Sequence, residues 1–340
     1  MTKNQVEKYF VNTKTIGKLD PKAFKEIGGG QPKPKTEKIK VKRVPTLTEI
    51  RDSMGWPAKD ITKNEIVVED RVIQGHIMTR TYRKKDLQNK MLPVLFYIHG
   101  GGFFGGSIEN VEQICRMFAD GADLMVVSIG YRLTPEHPFP AGLLDCYNTV
   151  EYFATNARKE LVDSENFFIS GDSAGGNLSI TVSLLDHVYL QTKYLRKIVA
   201  YYPVVELLSE GEGKHWDVSK VFVKDKKERE LVHRYIKGFG KQDTPVNDWY
   251  AGKIDKKNPL ISPFFATDEQ LKQLPELKII MGEFDPLKLQ VDYFVERLET
   301  SAIPCEYRVY NGMVHAFMDK MGDYPQAEQG VEEAVDFLLS

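Results

Sequence analysis

Short apolar runs alternate with longer helical patterns along the chain from about residue 90 onward. Runs rich in Val, Ile and Phe that are spaced by helices are typical of β-α-β units and of a parallel sheet buried on both faces. The pattern predicts strands at 92–99, 124–131, 165–171, 197–203, 276–283 and 305–312, preceded by an antiparallel hairpin at 66–73 and 75–83. It predicts helices near 108–120, 141–158, 174–192, 287–300 and 325–339. These alternating elements indicate an α/β fold.

The beginning of the chain has a different pattern. VEKYF and PTLTEIRDSMGW predict helices near residues 4–12 and 46–55. GGGQPKPK (28–35) separates them, because its glycines and prolines interrupt both helix and strand. We therefore expect residues 1–55 to form a separate layer of helices.

A long connection interrupts the alternation between the fourth and fifth of the six strands. It holds roughly 70 residues, whereas loops in α/β units usually have about 2–6. Its middle, residues 218–240, is charged but helical in spacing and predicts an inserted helical lid. The alternative is a solvent-exposed surface segment without a function. The predicted division is a core of 56–206 and 257–340 with an inserted part at 207–256.

Composition narrows the classes of partner. Of 340 residues 42% are hydrophobic, which is enough for a sizeable core, and the 46 basic residues nearly balance the 48 acidic ones. This balance argues against nucleic acid or an anionic membrane surface as a partner. Three widely spaced cysteines without a C-x-x-C pair favour a reducing compartment. With neither a leader-like stretch nor a membrane span, we expect a cytoplasmic protein.

The glycine-rich stretch HGGGFFGGS has two interpretations. Gly100, Gly102 and Gly105 match the G-x-G-x-x-G of a dinucleotide loop, whereas His99 to Gly102 match the H-G-G-G of an esterase oxyanion loop. A dinucleotide site needs an acidic residue at the end of the next strand, and that strand ends in SIGYR without one. The stretch therefore favours the oxyanion loop.

A serine nucleophile is predicted at Ser173. GDSAG (171–175) matches G-x-S-x-G and lies between a predicted strand and a predicted helix, the context in which this motif forms a sharp turn. Serine needs a base that removes its proton. Of the seven histidines, only His315 follows the last strand in the order Ser, acid, His that this fold requires.

The acid of the triad is predicted from the loop GEFDPL. It offers Asp285 and Glu283, and we favour Asp285 because Pro286 suits the first turn of a helix and would leave Asp285 at the helix cap. Two alternatives stay open, namely that Glu283 is the acid and that Asp285 only caps the helix. The predicted oxyanion donors are the backbone N–H groups of Ala174, Gly101 and Gly102.

Taken together, HGGGFFGGS, YRLTPEHPFPAGLLD, SGDSAGGNL, GEFDPL and GMVHAF resemble the bacterial hormone-sensitive lipase family of α/β-hydrolase esterases, in its GDSAGG subgroup. The resemblance covers roughly residues 90–320. It implies an α/β-hydrolase fold with an eight-stranded, mostly parallel sheet, helices on both faces and a helical cap. It further implies Ser173, Asp285 and His315 as the triad, whereas Asp172 and Asp145 are expected to be structural.

The expected activity is hydrolysis of small short-chain esters through an acyl-enzyme, which requires no metal or organic cofactor. Phe103 and Phe104 are predicted to wall the acyl pocket and to favour small acyl groups. An amidase or formamidase on the same scaffold is one alternative, and a ligand receptor without catalysis is another. The last strand, CEYRVYNG, is expected at an exposed sheet edge, where it could pair with a second copy to form a homodimer.

Overall fold

The computed structural model describes residues 6–11, 13–30, 45–208, 215–240 and 245–340. Within these ranges nine strands form one sheet. They are β1 (Val6–Val11), β2 (Ile66–Ile73), β3 (Ile77–Lys84), β4 (Leu92–Ile98), β5 (Met125–Gly130), β6 (Val162–Asp172), β7 (Leu195–Tyr201), β8 (Glu276–Gly282) and β9 (Cys305–Tyr310). The order across the sheet is β1-β9-β8-β7-β6-β4-β5-β3-β2. All neighbours are parallel except β2 with β3 and β3 with β5.

The helices of the described ranges have between 4 and 15 residues. They are α1 (Pro21–Glu26), α2 (Leu47–Asp52), α3 (Glu112–Gly121), α4 (Ala141–Thr155), α5 (Ala157–Glu160), α6 (Ala174–Leu184), α7 (Lys226–Gly240), α8 (Val246–Ala251), α9 (Asp268–Leu271), α10 (Lys288–Thr300) and α11 (Pro325–Leu339). In the core, α3 packs against α11, and α4 packs against α6. Among these helices none is long and apolar enough to cross a membrane.

The central strands explain the continuous apolar runs of the sequence. In β4, LPVLFYI, every residue except the proline is fully buried, because the strand lies between β5 and β6 and is covered on both faces. The same holds for most of β7 and β8. The predicted strands and the antiparallel hairpin are thus confirmed, with ends shifted by a few residues.

The first strand corrects two predictions. A helix was expected near 4–12, but Val6–Val11 forms β1 and pairs in parallel with β9, so the sheet has nine strands instead of eight. Residues 4, 5 and 12 of that prediction lie outside the described residues, as do 31–35 of the predicted linker. A helix of this length would be marginal in water, whereas β9 offers the segment a full set of backbone hydrogen-bond partners. The last strand is therefore not the exposed edge that was expected to pair with a second copy.

A second apolar cluster joins the N-terminal segment to the insertion. It lies apart from the main core and brings together residues from around α1, from α7 and the segment before it, from the region between β8 and the first turn of α10, and from the loop after β9. Its buried members are Leu19, Ala23, Val218, Val223, Leu231, Val232, Ile236, Phe284, Leu289 and Val314. These contacts are those expected of a cap over the sheet, while the division at 55, 206 and 257 stays a prediction.

The topology brings the predicted site residues to one edge of the sheet. The loops that carry Gly101, Ser173, Asp285 and His315 follow the carboxyl ends of β4, β6, β8 and β9. These strands are parallel, so their carboxyl ends lie at the same edge.

Candidate active site

Ser173 occupies a sharp turn between β6 and α6. Its backbone has φ 54° and ψ −112°, a conformation that non-glycine residues rarely adopt and that stores strain. The turn is held by a hydrogen bond from Ser173 N–H to the Tyr201 carbonyl, at 2.9 Å. Gly175 allows it, because a side chain at this position would collide with the carbonyl oxygen of Ile98 in β4. The motif at 171–175 thus forms the predicted strand-to-helix turn.

The three residues predicted as the triad are in contact. Nε2 of His315 lies 3.0 Å from Oγ of Ser173, and Nδ1 lies 2.7 Å from Oδ2 of Asp285. The other carboxylate oxygen of Asp285 accepts a hydrogen bond from the N–H of Leu287 at 2.8 Å. Both oxygens of Asp285 therefore have donors, and its buried carboxylate holds the imidazole with Nε2 towards the serine.

The charge around His315 favours its protonated form. Burial by itself would lower the pKa of His315, but the negative charge of Asp285 and its hydrogen bond outweigh this effect. Asp319 and Asp172 add to the negative charge, and the pKa of His315 lies above its ordinary value of 6.5. The histidine is thus a stronger base than it would be in water, and a carboxylate stabilises the imidazolium that a proton from Ser173 would create.

Glu283, the alternative acid, binds two backbone N–H groups. Its two carboxylate oxygens accept hydrogen bonds from the N–H groups of Gly17, at 2.7 Å, and Gly312, at 2.8 Å. It thereby ties the N-terminal segment to the loop that leads to His315. Asp285 in turn is not the helix cap that was expected, because α10 begins at Lys288 and its cap residue is Leu287. The segment from Asp285 to Leu287 forms a turn before the helix.

The glycine loop presents unused backbone donors beside the serine. In the part of the chain that the structure describes, the N–H groups of Gly101, Gly102 and Ala174 have no hydrogen-bond partner. Gly101 has φ 114° and Gly102 has φ 60°, conformations that glycine adopts at low cost. Both glycines line the cavity that contains Ser173 and His315. Three donors are therefore available for an oxygen bound next to Ser173.

Asp172 fastens this loop to the serine turn. Its buried carboxylate accepts a hydrogen bond from the N–H of Gly100 at 3.0 Å. Burial and the nearby charge of Asp319 raise the pKa of Asp172. From the other side, Nε of Arg51 in α2 donates to the carbonyl of Phe104 at 2.6 Å. The loop is thus held by the core and by the N-terminal helices together, and Asp172 has the structural contact that was expected of it.

Asp145 is also structural. This buried residue of α4 accepts two hydrogen bonds from the Arg132 guanidinium, at 2.7 and 2.8 Å, and one from the Arg132 backbone N–H at 2.9 Å. This ion pair shapes the proline-rich connection that precedes α4.

The cavity over Ser173 has a volume of about 520 Å³ and is partly aromatic. Phe103 and Phe104 both line it and both are buried. The Phe103 ring stacks on Tyr250 of α8 with ring centroids 3.8 Å apart, and the Phe104 ring meets the Trp249 ring edge to face at 6.1 Å. The insertion therefore fixes both phenylalanine rings from above.

Helix α7 of the insertion also contacts the histidine, which the sequence alone did not reveal. The hydroxyl oxygen of Tyr235 accepts a hydrogen bond from the backbone N–H of His315 at 3.3 Å. The ring of Phe239, one turn later, lies edge to face on the imidazole at 5.1 Å. The i, i+4 spacing of two aromatic residues in a charged helix is the only signal in the sequence, because it marks one face of the helix as apolar.

Comparison with known proteins identifies the family of the chain. A family model described as alpha/beta hydrolase fold matches residues 95–319, a range that includes Ser173, Asp285 and His315. The chain belongs to the α/β-hydrolase family. The fold class and the family expected from the sequence motifs are thereby confirmed.

Relatives of this α/β hydrolase include named esterases. "Esterase LipI" of Mycobacterium tuberculosis is 28% identical over 286 residues, which cover 82% of this chain and 84% of that protein. "Arylesterase" of Saccharolobus solfataricus is 33% identical over 252 residues, which cover 72% of this chain and 74% of that protein. Among solved structures, an esterase from Pyrobaculum calidifontis matches with a TM-score of 0.67 and 28% identity, covering 86% of this chain and 87% of that chain.

Proposed function

We propose that this α/β hydrolase is a serine carboxylesterase that cleaves short-chain acyl esters through an acyl-enzyme on Ser173. The observation that carries the proposal is the continuous hydrogen-bonded relay from Asp285 through His315 to Ser173, which ends at an open cavity. The activity named for its relatives supports ester hydrolysis as the reaction class.

In the first half of the reaction, Oγ of Ser173 attacks the ester carbonyl while Nε2 of His315 takes the hydroxyl proton. Asp285 keeps the proton on Nδ1 and stabilises the imidazolium. The N–H groups of Gly101, Gly102 and Ala174 receive the negative charge on the former carbonyl oxygen. Each donor of this kind lowers the barrier by about 3–4 kcal/mol in a site that excludes water.

In the second half, His315 gives its proton to the alcohol oxygen, and the alcohol leaves with the acyl group still bonded to Ser173. A water molecule then enters in place of the alcohol, and its oxygen attacks the acyl carbonyl carbon while His315 removes its proton. The bond between this carbon and Oγ of Ser173 breaks, His315 returns the proton to Oγ, and the carboxylic acid is released. Every proton transfer in this cycle uses Nε2 of His315, which already lies 3.0 Å from the serine oxygen.

The preference for short acyl chains is supported by the walls of the cavity. Phe103 stacks face to face on Tyr250, so its ring is held in place and does not rotate freely into the cap. Phe104 is held similarly by Trp249. The cavity of about 520 Å³ also has to hold both the acyl and the alcohol parts of the substrate. Long acyl chains would have to displace these rings.

The test is a series of p-nitrophenyl esters from acetyl to decanoyl. We expect the highest kcat/KM between acetyl and hexanoyl, and a loss of at least roughly 10⁴-fold in kcat for Ser173→Ala. Ser164→Ala, which changes the same residue type near the start of β6, is the matched control and should retain activity. Full activity of Ser173→Ala, or no activity of the unchanged protein on any short ester, would contradict the proposal.

A further inference from the structure

The cavity over the serine carries an excess of negative side chains. Of the described residues that line the cavity, four are acidic and none is a lysine or an arginine. The acidic residues are Asp172, Glu206, Asp248 and Asp319. For the chain as a whole the basic and acidic residues nearly balance, so this excess is local to the cavity.

Three of these four carboxylates have partners in the protein. Asp172 accepts the N–H of Gly100. Glu206 is buried and accepts the backbone N–H of His215 at 2.9 Å. Asp248 lies 2.7 Å from the ammonium group of Lys256 and is mostly exposed. These three carboxyl groups therefore already have hydrogen-bond or ion-pair partners in the protein.

Asp319 differs from the other three. Its side chain is half-buried at the cavity wall, and among the described residues none donates a hydrogen bond to its carboxylate or forms an ion pair with it. Burial raises the pKa of Asp319, and the positive charges of Lys320 and His315 offset this effect only in part. A carboxylate that is partly removed from water without a partner is unfavourable, and a cation bound in the cavity would relieve this cost.

The aromatic lining of the same cavity suits such a cation. Phe104, Trp216 and Phe239 lie at its wall together with Asp319. Aromatic faces attract ammonium groups through the negative charge above the ring, and several faces beside a carboxylate form a site for a quaternary ammonium group. Phe239 is in contact with His315, so this aromatic wall reaches the reacting atoms.

We infer that Asp319 makes this enzyme select esters whose alcohol part carries a positive charge, with the ammonium group between the Asp319 carboxylate and the aromatic side chains. This inference rests on the proposed esterase function. The alcohol side is assigned because His315 has to reach the leaving alcohol oxygen and Asp319 lies on the same loop. It follows His315 by four residues, in a turn in which its N–H binds the carbonyl of Ala316.

The experiment compares two acetate esters of nearly the same shape. Acetylcholine carries a trimethylammonium group, and 3,3-dimethylbutyl acetate has an uncharged tert-butyl group in its place. We expect kcat/KM at pH 8 and low salt to be about tenfold higher for acetylcholine, the factor that corresponds to one well-placed cation contact. The ratio should fall as salt is added, because salt screens the attraction.

Variants assign the effect to one side chain. Asp319→Asn should bring the ratio close to one, and Asp319→Glu should retain most of it because the charge is kept. Asp248→Asn removes a carboxylate from the same cavity that is already paired, so the ratio should not change. Because each ratio is measured within one variant, a general loss of activity or of folded protein cancels.

The outcomes separate the inference from the proposed function. A ratio near one in the unchanged protein, or a preference that persists in Asp319→Asn, overturns the inference while leaving the esterase function intact. No turnover of either ester also overturns the inference, and the p-nitrophenyl series then decides separately whether the esterase function fails as well.

Discussion

A methyl group added at Gly175 should disable the active site. In Gly175→Ala the new Cβ would collide with the carbonyl oxygen of Ile98, and it would lie 2.6 Å from the carbonyl carbon of Ile98 and 2.8 Å from the carbonyl oxygen of His99. These atoms belong to the backbone at the end of β4, which is buried and paired on both sides. No side-chain rotation relieves such a contact, so the start of α6 has to move away from β4.

The size of this movement determines how much kcat should fall in Gly175→Ala. Ordinary contacts of a Cβ begin at 3.4 Å, so the new Cβ and the carbonyl oxygen of Ile98 have to separate by roughly 1.5 Å. Ala174, one of the proposed oxyanion donors, and Ser173 lie directly before the substituted residue. A displacement of about 1 Å in a reacting group costs roughly 10²-fold in rate, and the loss of one oxyanion donor costs about 10²–10³-fold. We therefore expect kcat to fall by about 10²–10⁴-fold.

The measurement is kcat on p-nitrophenyl acetate together with a thermal unfolding curve. Overpacking of this kind lowers the free energy of unfolding by about 1–3 kcal/mol, which should leave the protein folded at 25 °C. Gly238→Ala in α7 is the matched control, since its Cβ would meet no atom within 4 Å and both activity and stability should be kept. Activity of folded Gly175→Ala within threefold of the unchanged protein would refute the argument.

Three further predictions concern the histidine and its partners. Asp285→Asn should lower kcat by about 10⁴-fold, because it no longer fixes the tautomer of His315, whereas Glu283→Gln should cost less than about tenfold; equal losses in the two variants would contradict this assignment. As the pH rises, kcat/KM should reach half of its full value at a pH above 6.5, because the raised pKa of His315 delays the appearance of its neutral, proton-accepting form. A midpoint below 6.5 would be inconsistent with this environment. Tyr235→Phe should lower kcat/KM about fivefold, because the backbone N–H of His315 loses an acceptor worth about 1 kcal/mol, and unchanged kinetics would show that this contact does not position the histidine.

The contacts among Ser173, Asp285 and His315 were predictable because the fold leaves few choices. A serine at a strand-to-helix junction, an acid after a later strand and a histidine after the last strand all fall at the carboxyl edge of a parallel sheet. Chain order then selects His315 from seven histidines without any knowledge of distances. Choosing Asp285 over Glu283 was harder, because the two differ by two positions and the argument from the helix cap proved wrong in detail.

The contacts of the cap were not predictable in the same way. That Tyr235 and Phe239 meet His315, and that Phe103 stacks on Tyr250, depends on how an insertion folds back over the sheet. No motif fixes that arrangement. The strand β1 was missed for a related reason, since the apolar positions 6, 9 and 10 fit a helix and only the partner strand decides the conformation.

The pairing of β1 with β9 has a consequence for biosynthesis. Val6 lies opposite Cys305 in the sheet, although Cys305 is made 299 residues later than Val6. While the chain is being made, β1 has no partner, and the sheet can be built outward from the central strands without it. The open edge of β9 is thus covered only after β9 itself has been made, when the backbone of β1 pairs with N–H and C=O groups that would otherwise offer a template for pairing between chains.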